Sequence, residues 1–218
     1  MEVTGEYNYE KESGGGITTK ETGGQIATTL SYGIVDNTDF VLGIPYQWCR
    51  IKDDGVVISN EDGFSDMTLE VKWRFYGKGG LSLALKPGVI VPTGDEERGL
   101  GAGRVGYSAF FIASREAAPW AFHANIGYKR NENKSDERCD IWHASLAGEV
   151  KFLKNLKVVA NIGAERNTDE ASNNHPAFIL GGLIYSPSDN FDIDFGAKGG
   201  MNSTETDFSL MAGAMFRF

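Results

Sequence analysis

Apolar and polar residues alternate at period two from one end of this chain to the other, and that pattern constrains the fold most. Met67, Leu69, Val71, Trp73 and Phe75 alternate with Thr68, Glu70, Lys72 and Arg74. Such a strand has one apolar and one charged face. Phe208, Leu210, Ala212, Ala214, Phe216 and Phe218 alternate in the same way with Asp207, Ser209, Met211, Gly213, Met215 and Arg217. The stretches Phe40 to Cys49 and Trp120 to Lys129 repeat the pattern. No window carries a capped 3.6-residue period, so no long helix is predicted. Twelve strand segments can be marked, at residues 2–11, 24–35, 39–52, 64–77, 80–92, 104–116, 119–130, 139–153, 156–166, 176–186, 190–201 and 205–218. That is roughly 18 residues per strand and connection, enough for membrane-crossing strands of about 9–11 residues plus turns.

The connections alternate too. Ser13–Gly23, Asp53–Gly63, Thr93–Gly103, Asn131–Arg138, Asn167–His175 and the shorter Asn202–Thr204 are polar loops. Between them fall tight turns at Asp36-Asn37-Thr38, Gly77-Lys78-Gly79, Ala117-Ala118-Pro119, Lys154-Asn155 and Ser186-Pro187-Ser188-Asp189. Long loops at one rim and short turns at the other, with an even strand count, predict an all-β fold: a 12-stranded antiparallel up-and-down transmembrane β-barrel filling one domain over residues 1–218. The location expected is the outer membrane of a Gram-negative bacterium. The chain opens without a basic and apolar leader, so a signal peptide is expected to have been removed before Met1.

Aromatic placement agrees with this reading. Tyr32, Phe40, Trp73, Phe75, Trp120, Phe122, Phe152, Phe191, Phe216 and Phe218 fall near the periplasmic rim. Tyr46, Trp48, Tyr128 and Trp142 fall near the outer rim. The membrane belt is therefore assigned to Trp48, Trp73, Trp120, Tyr128, Trp142, Phe216 and Phe218. A soluble β-sandwich would also alternate, but it gives no reason for aromatics at both strand ends. The chain stops at Phe218 inside a strand, and outer-membrane barrels end in an aromatic read by the assembly machinery.

The mean hydropathy of −0.29 then stops describing a soluble protein, because an apolar outer wall and a charged inner wall cancel in the average. No stretch of about 18 apolar residues forms a membrane helix. The net charge of −9 argues against nucleic acid, which needs a basic face. With 2 cysteines there is no disulfide scaffold. Cys49 and Cys139 fall nearly opposite one another in the barrel and are expected to be free thiols.

The inward parity supplies the candidate pore lining: Glu6, Glu70, Lys72, Arg74, Lys86, His123, Lys129, Glu149, Lys151, Glu165, Asp192, Asp194, Lys198 and Arg217. Both signs occur, so the charges either brace the wall in pairs or line an aqueous pore; both can hold at once. Twelve strands leave a lumen between those of filled eight-stranded barrels and open porins. The Gly-rich loop carrying Asp95, Glu96, Glu97 and Arg98 is the candidate constriction. It is no phosphate loop, since no Lys-Ser/Thr follows. The acidic loops would meet lipopolysaccharide through divalent cations.

His143-Ala144-Ser145 resembles the His-x-Ser of outer-membrane phospholipase A, but Leu146-Ala147 follow where Asn-Gly should. Its parity also turns His143 and Ser145 to the lumen rather than to lipid. No catalytic residue, cofactor or metal site is assigned, and an enzyme is not expected.

Gly63-Phe64-Ser65-Asp66-Met67-Thr68-Leu69-Glu70-Val71-Lys72-Trp73-Arg74-Phe75, Leu85 to Asp95 with its Pro92-Thr93-Gly94-Asp95 ending, Gly182 to Ser188, Asp192 to Gly196 and Ala212 to Phe218 form an ordered set. The set resembles the outer-membrane channel family named for the MetA pathway of phenol degradation. The resemblance runs from about residue 40 onward, with shorter loops here. It implies a twelve-stranded barrel admitting small organic compounds. The expected function is an outer-membrane channel for passive diffusion or uptake of small molecules, small organic or aromatic compounds among them, through a charged lumen. The expected partners are outer-membrane lipid, lipopolysaccharide, small solutes and, through Phe218, the assembly machinery, with the protein a monomer. The alternatives are a closed structural or adhesin-like barrel and a lipid hydrolase using His143 and Ser145.

Overall fold

The computed structural model describes residues 1–218. The strand segments are β1 (Glu2–Gly14), β2 (Ile17–Val35), β3 (Thr38–Asp53), β4 (Val56–Phe64), β5 (Met67–Lys78), β6 (Leu81–Val91), β7 (Gly106–Ala117), β8 (Trp120–Arg130), β9 (Asp140–Leu153), β10 (Leu156–Glu165), β11 (Ala177–Ser188), β12 (Phe191–Gly200) and β13 (Phe208–Phe216). The one helical element is a 3₁₀ turn at Glu96–Arg98, and no helix is long and apolar enough to cross a membrane.

Thirteen segments make twelve staves. β3 pairs with β4 along its outer half (Tyr46 opposite Phe64) and with β5 along its inner half (Leu42 opposite Leu69). β4 and β5 are thus one stave broken at Ser65-Asp66. The break sits beside Pro45, which has no N–H to give a ladder and so belongs at a bulge or edge. Its carbonyl accepts from the Ser65 N–H at 2.9 Å. β1 pairs with β13 (Tyr7 opposite Leu210) and closes the ring. Of 153 backbone hydrogen bonds, 132 lie within strands, so the wall has no open edge, as a bilayer requires.

Two of the expected loops are corrected. Residues 13–23 and 53–63 are mostly strand, and the chain reverses only at Gly15-Gly16 (φ 61° and 85°) and Asp54-Gly55 (φ 45° and 87°). Positive φ at both central residues is the hairpin turn whose twist suits the flanking strands. These segments rise above the membrane, where neither face meets lipid. Their polar composition therefore imitates a loop, while Thr18, Thr19, Thr22, Val56, Val57 and Ile58 carry the β preference.

Only 12 of 218 residues are buried, too few for a conventional core. The apolar side chains instead face outward: Trp73, Trp120, Phe122, Tyr128 and Trp142 are all exposed. A contiguous apolar exterior of this kind is a membrane-contact surface. At the inner rim Phe191 stacks on Phe216 with ring centroids 4.4 Å apart. At the outer rim Tyr7, Gly24, Trp48 and Asp62 share one cross-strand row. Trp48 lies across Gly24: a Cβ there would come within 2.6 Å of Trp48 Cζ2 and would also meet the Glu6 carbonyl. Gly24→Val is therefore expected to lower the yield of barrel that resists unheated detergent electrophoresis, with Gly24→Ala between it and wild type. An unchanged yield for valine would contradict this packing.

Candidate channel lumen

The lumen is built from the inward parity of the twelve staves, and its charges are largely paired across strands. At the inner mouth Arg217 grips Asp192, which also accepts from Ser186 Oγ at 2.6 Å. Lys157 pairs with Glu149 at 2.9 Å. Arg74 donates to the Asp36 carbonyl at 3.1 Å. Lys72 and Lys151 are exposed here, and Asp194 lies beside Gly213, where a Cβ would displace its carboxylate.

Midway, Lys86 pairs with Glu70 at 2.9 Å and lies 5.3 Å from the Phe110 ring centre. His143 Nδ1 is 3.5 Å from Glu165. His123 shares a 2.9 Å hydrogen bond with Ser114 Oγ, and Asn125 donates to Ser145 at 3.4 Å. Lys129 is half-buried toward the outer end of its strand. Lys198 stands between Glu6 and Glu205, each 3.2 Å away. His143 and Ser145 thus face the lumen rather than lipid, with different partners, Glu165 and Asn125. Cys49 and Cys139 are free.

The loop between β6 and β7 is rigidly held. Asp66, at the break in the β4–β5 stave, accepts from the Gly94 N–H at 2.9 Å and the Ala102 N–H at 2.7 Å, one carboxylate oxygen to each. It therefore clamps both feet of the loop. Thr93 Oγ1 donates to the Ser65 carbonyl at 3.0 Å. Asp95 caps the 3₁₀ turn by accepting from the Glu97 N–H at 3.1 Å, and Gly99 ends it at φ 71°, a left-handed value suited to glycine. Leu100 is buried against Gly63.

The tip is pinned by charge. Arg98 Nε is 2.7 Å from Glu61, and Lys134, from the β8–β9 loop, holds Glu96. Lys134 draws the Glu96 carboxyl below its ordinary range, so the clasp is still charged when ordinary carboxylates protonate on acidification. It is lost only as pH falls through that lowered value. The hydrogen bond to Glu61 raises the Arg98 guanidinium.

Beneath the loop lies a cavity of about 330 Å³, lined by Arg98, Gly99 and Leu100 together with Glu6, Glu10, Glu21 and Lys198. β12, which carries Lys198, is six staves round the ring from β6. A loop rooted at β6 that shares a cavity with β12 therefore reaches across the lumen. A second cavity of about 570 Å³ opens at the inner mouth, lined by Lys151, Lys154, Lys157, Asp192 and Arg217.

Sequence reasoning places Glu61 only among the acidic outer-loop residues and gives no role to Asp66 or Glu205, which acquire their partners through contacts distant in sequence.

A closed ring with a lipid-facing exterior, aromatic rims and an ion-paired interior is an outer-membrane β-barrel. Its sequence matches, over residues 4–218, the profile of the family described as "Putative MetA-pathway of phenol degradation", and the chain belongs to that family. No curated protein sequence matches it. Among solved structures it is similar to an outer-membrane channel from Pseudomonas putida F1. That likeness has a TM-score of 0.73 at 13% identity and covers 100% of this chain and 94% of the other. It is also similar to the KdgM porin in complex with disordered oligogalacturonate (TM-score 0.61, 8% identity, 100% and 99% covered). The translocator domain of the autotransporter NalP from Neisseria meningitidis is a third (TM-score 0.58, 10% identity, 100% and 87% covered). At these identities the likeness is one of fold.

Proposed function

We propose that this protein is an outer-membrane channel through which small molecules pass by diffusion, with the Thr93–Gly103 loop as its outer constriction. The observation that carries this reading is the cavity under the loop, enclosed by a polar wall inside a lipid-facing ring. Charged side chains at this density need water or partners, because unpaired charge in a dry interior costs several kcal/mol. The family and the channel and porin neighbours support the same reading. Small organic compounds are the solute class that the family description suggests. The exposed Phe218 is the feature offered to the assembly machinery, and the acidic outer loops face lipopolysaccharide. The barrel works as a monomer.

A second reading, a closed structural barrel, draws on the inserted loop and the cross-strand ion pairs. Planar-bilayer recording separates the two. Folded protein is expected to give discrete conductance steps in KCl. A silent bilayer, with protein that still shows a heat-modifiable band, would favour the closed barrel and sink the channel.

A further inference from the structure

We infer that the outer constriction selects cations, and that Glu10 and Glu21 are the residues that set this selectivity. The inference rests on the channel reading above and adds the charge class of the solute.

Both cations that line this cavity are already neutralised, Arg98 by Glu61 and Lys198 by Glu6 and Glu205, and Lys134 above it holds Glu96; Lys129 does not line it. Glu10 and Glu21 line the same cavity, and neither belongs to any ion pair of the protein. They stand directly opposite each other in the β1–β2 register, where like charges on one face destabilise a sheet. Glu21 meets only the Cys49 thiol, 3.3 Å away. The fold thus holds two uncompensated carboxylates side by side on the lumenal face. They lie where the loop has already narrowed the path by reaching across to β12. A solute crossing the constriction passes them, and a cleft lined by one sign of charge concentrates their field on it. The free cations Lys151 and Lys154 sit at the opposite mouth, exposed to solvent. Neither lines the cavity at the constriction, and at 0.1 M salt their field decays over about 10 Å.

The test is the reversal potential of single channels under a KCl gradient. Wild type is expected to pass potassium over chloride by about tenfold at 0.1 M salt, the low end of cleft focusing. Glu10→Gln with Glu21→Gln is expected to bring that ratio close to unity while conductance steps persist. Lys151→Gln with Lys154→Gln should leave it within about twofold. A wild-type channel that is unselective or anion-selective overturns the inference alone, as does a double glutamine variant with unchanged selectivity. A silent bilayer overturns the channel reading and this inference with it.

Discussion

Asp66→Ala is expected to raise single-channel conductance severalfold and to make it noisy, while the barrel itself stays folded. Both feet of the loop end on this one carboxylate, at 2.9 and 2.7 Å. A hydrogen bond to a charged group contributes about 1.5–3 kcal/mol, and alanine removes two of them. The tethers left at the tip, Arg98 to Glu61 and Lys134 to Glu96, are exposed ion pairs, a kind that contributes little. The feet keep only neutral bonds, among them those from Thr93 Oγ1 to the Ser65 carbonyl and from the Lys134 N–H to the Ala102 carbonyl. The loop then swings out of the lumen. Because Asp66 lies at the break between β4 and β5, its loss removes no ladder hydrogen bond. Asp66→Asn keeps one carbonyl acceptor and should fall between the two. A channel whose conductance is the same in Asp66→Ala as in wild type would show that the loop does not limit flow.

Lys198→Met should cause the largest loss of stability among lumenal substitutions, about 3 kcal/mol, seen as a lower midpoint of urea unfolding. Removing one member of a buried charge cluster costs about 3–5 kcal/mol because the partners stay buried and unpaired. Here two carboxylates are left behind, on Glu6 and Glu205, each with a side chain only 12% exposed. Access of water to the lumen places the cost at the lower end. The long methionine side chain keeps the packing against Phe178, whose ring centre lies 5.8 Å from the lysine nitrogen. Adding Glu6→Gln and Glu205→Gln should recover most of the loss. If Lys198→Met alone unfolds at the wild-type midpoint, the three groups are not acting as a cluster.

The barrel was legible because its physics is local. Lipid on one side and polar lumen on the other force period two on each strand, and Met67 to Phe75 shows it within nine residues. The short inner turns and the rim aromatics are equally local. The two outer hairpins were missed for the converse reason. Above the membrane neither face has to be apolar, so Thr18 to Thr22 and Val56 to Glu61 alternate without the signature. The constriction was readable only as a glycine-rich, charged stretch. That Asp66 clamps it, Glu61 holds Arg98 and Lys134 holds Glu96 depends on contacts spanning 28 to 38 residues, which no local pattern encodes. The pairing of Lys198 with Glu6 is more distant still, since it joins the two ends of the chain.

The order of staves also dictates how this protein comes together. Every seam in the ring but one joins stretches close in sequence, so each can zip as a hairpin in its turn. The seam between β1 and β13 is different: the Met1 amino group donates to the Phe216 carbonyl at 2.8 Å across a separation of 215 residues. Closing so long a chain segment carries the largest single loop-closure entropy of any seam, and distant pairings form slowly. Sealing is therefore expected to come last. Until it happens the nascent sheet exposes two raw edges, which a bilayer does not tolerate. Defects along this one seam would hold up insertion while leaving every hairpin able to form.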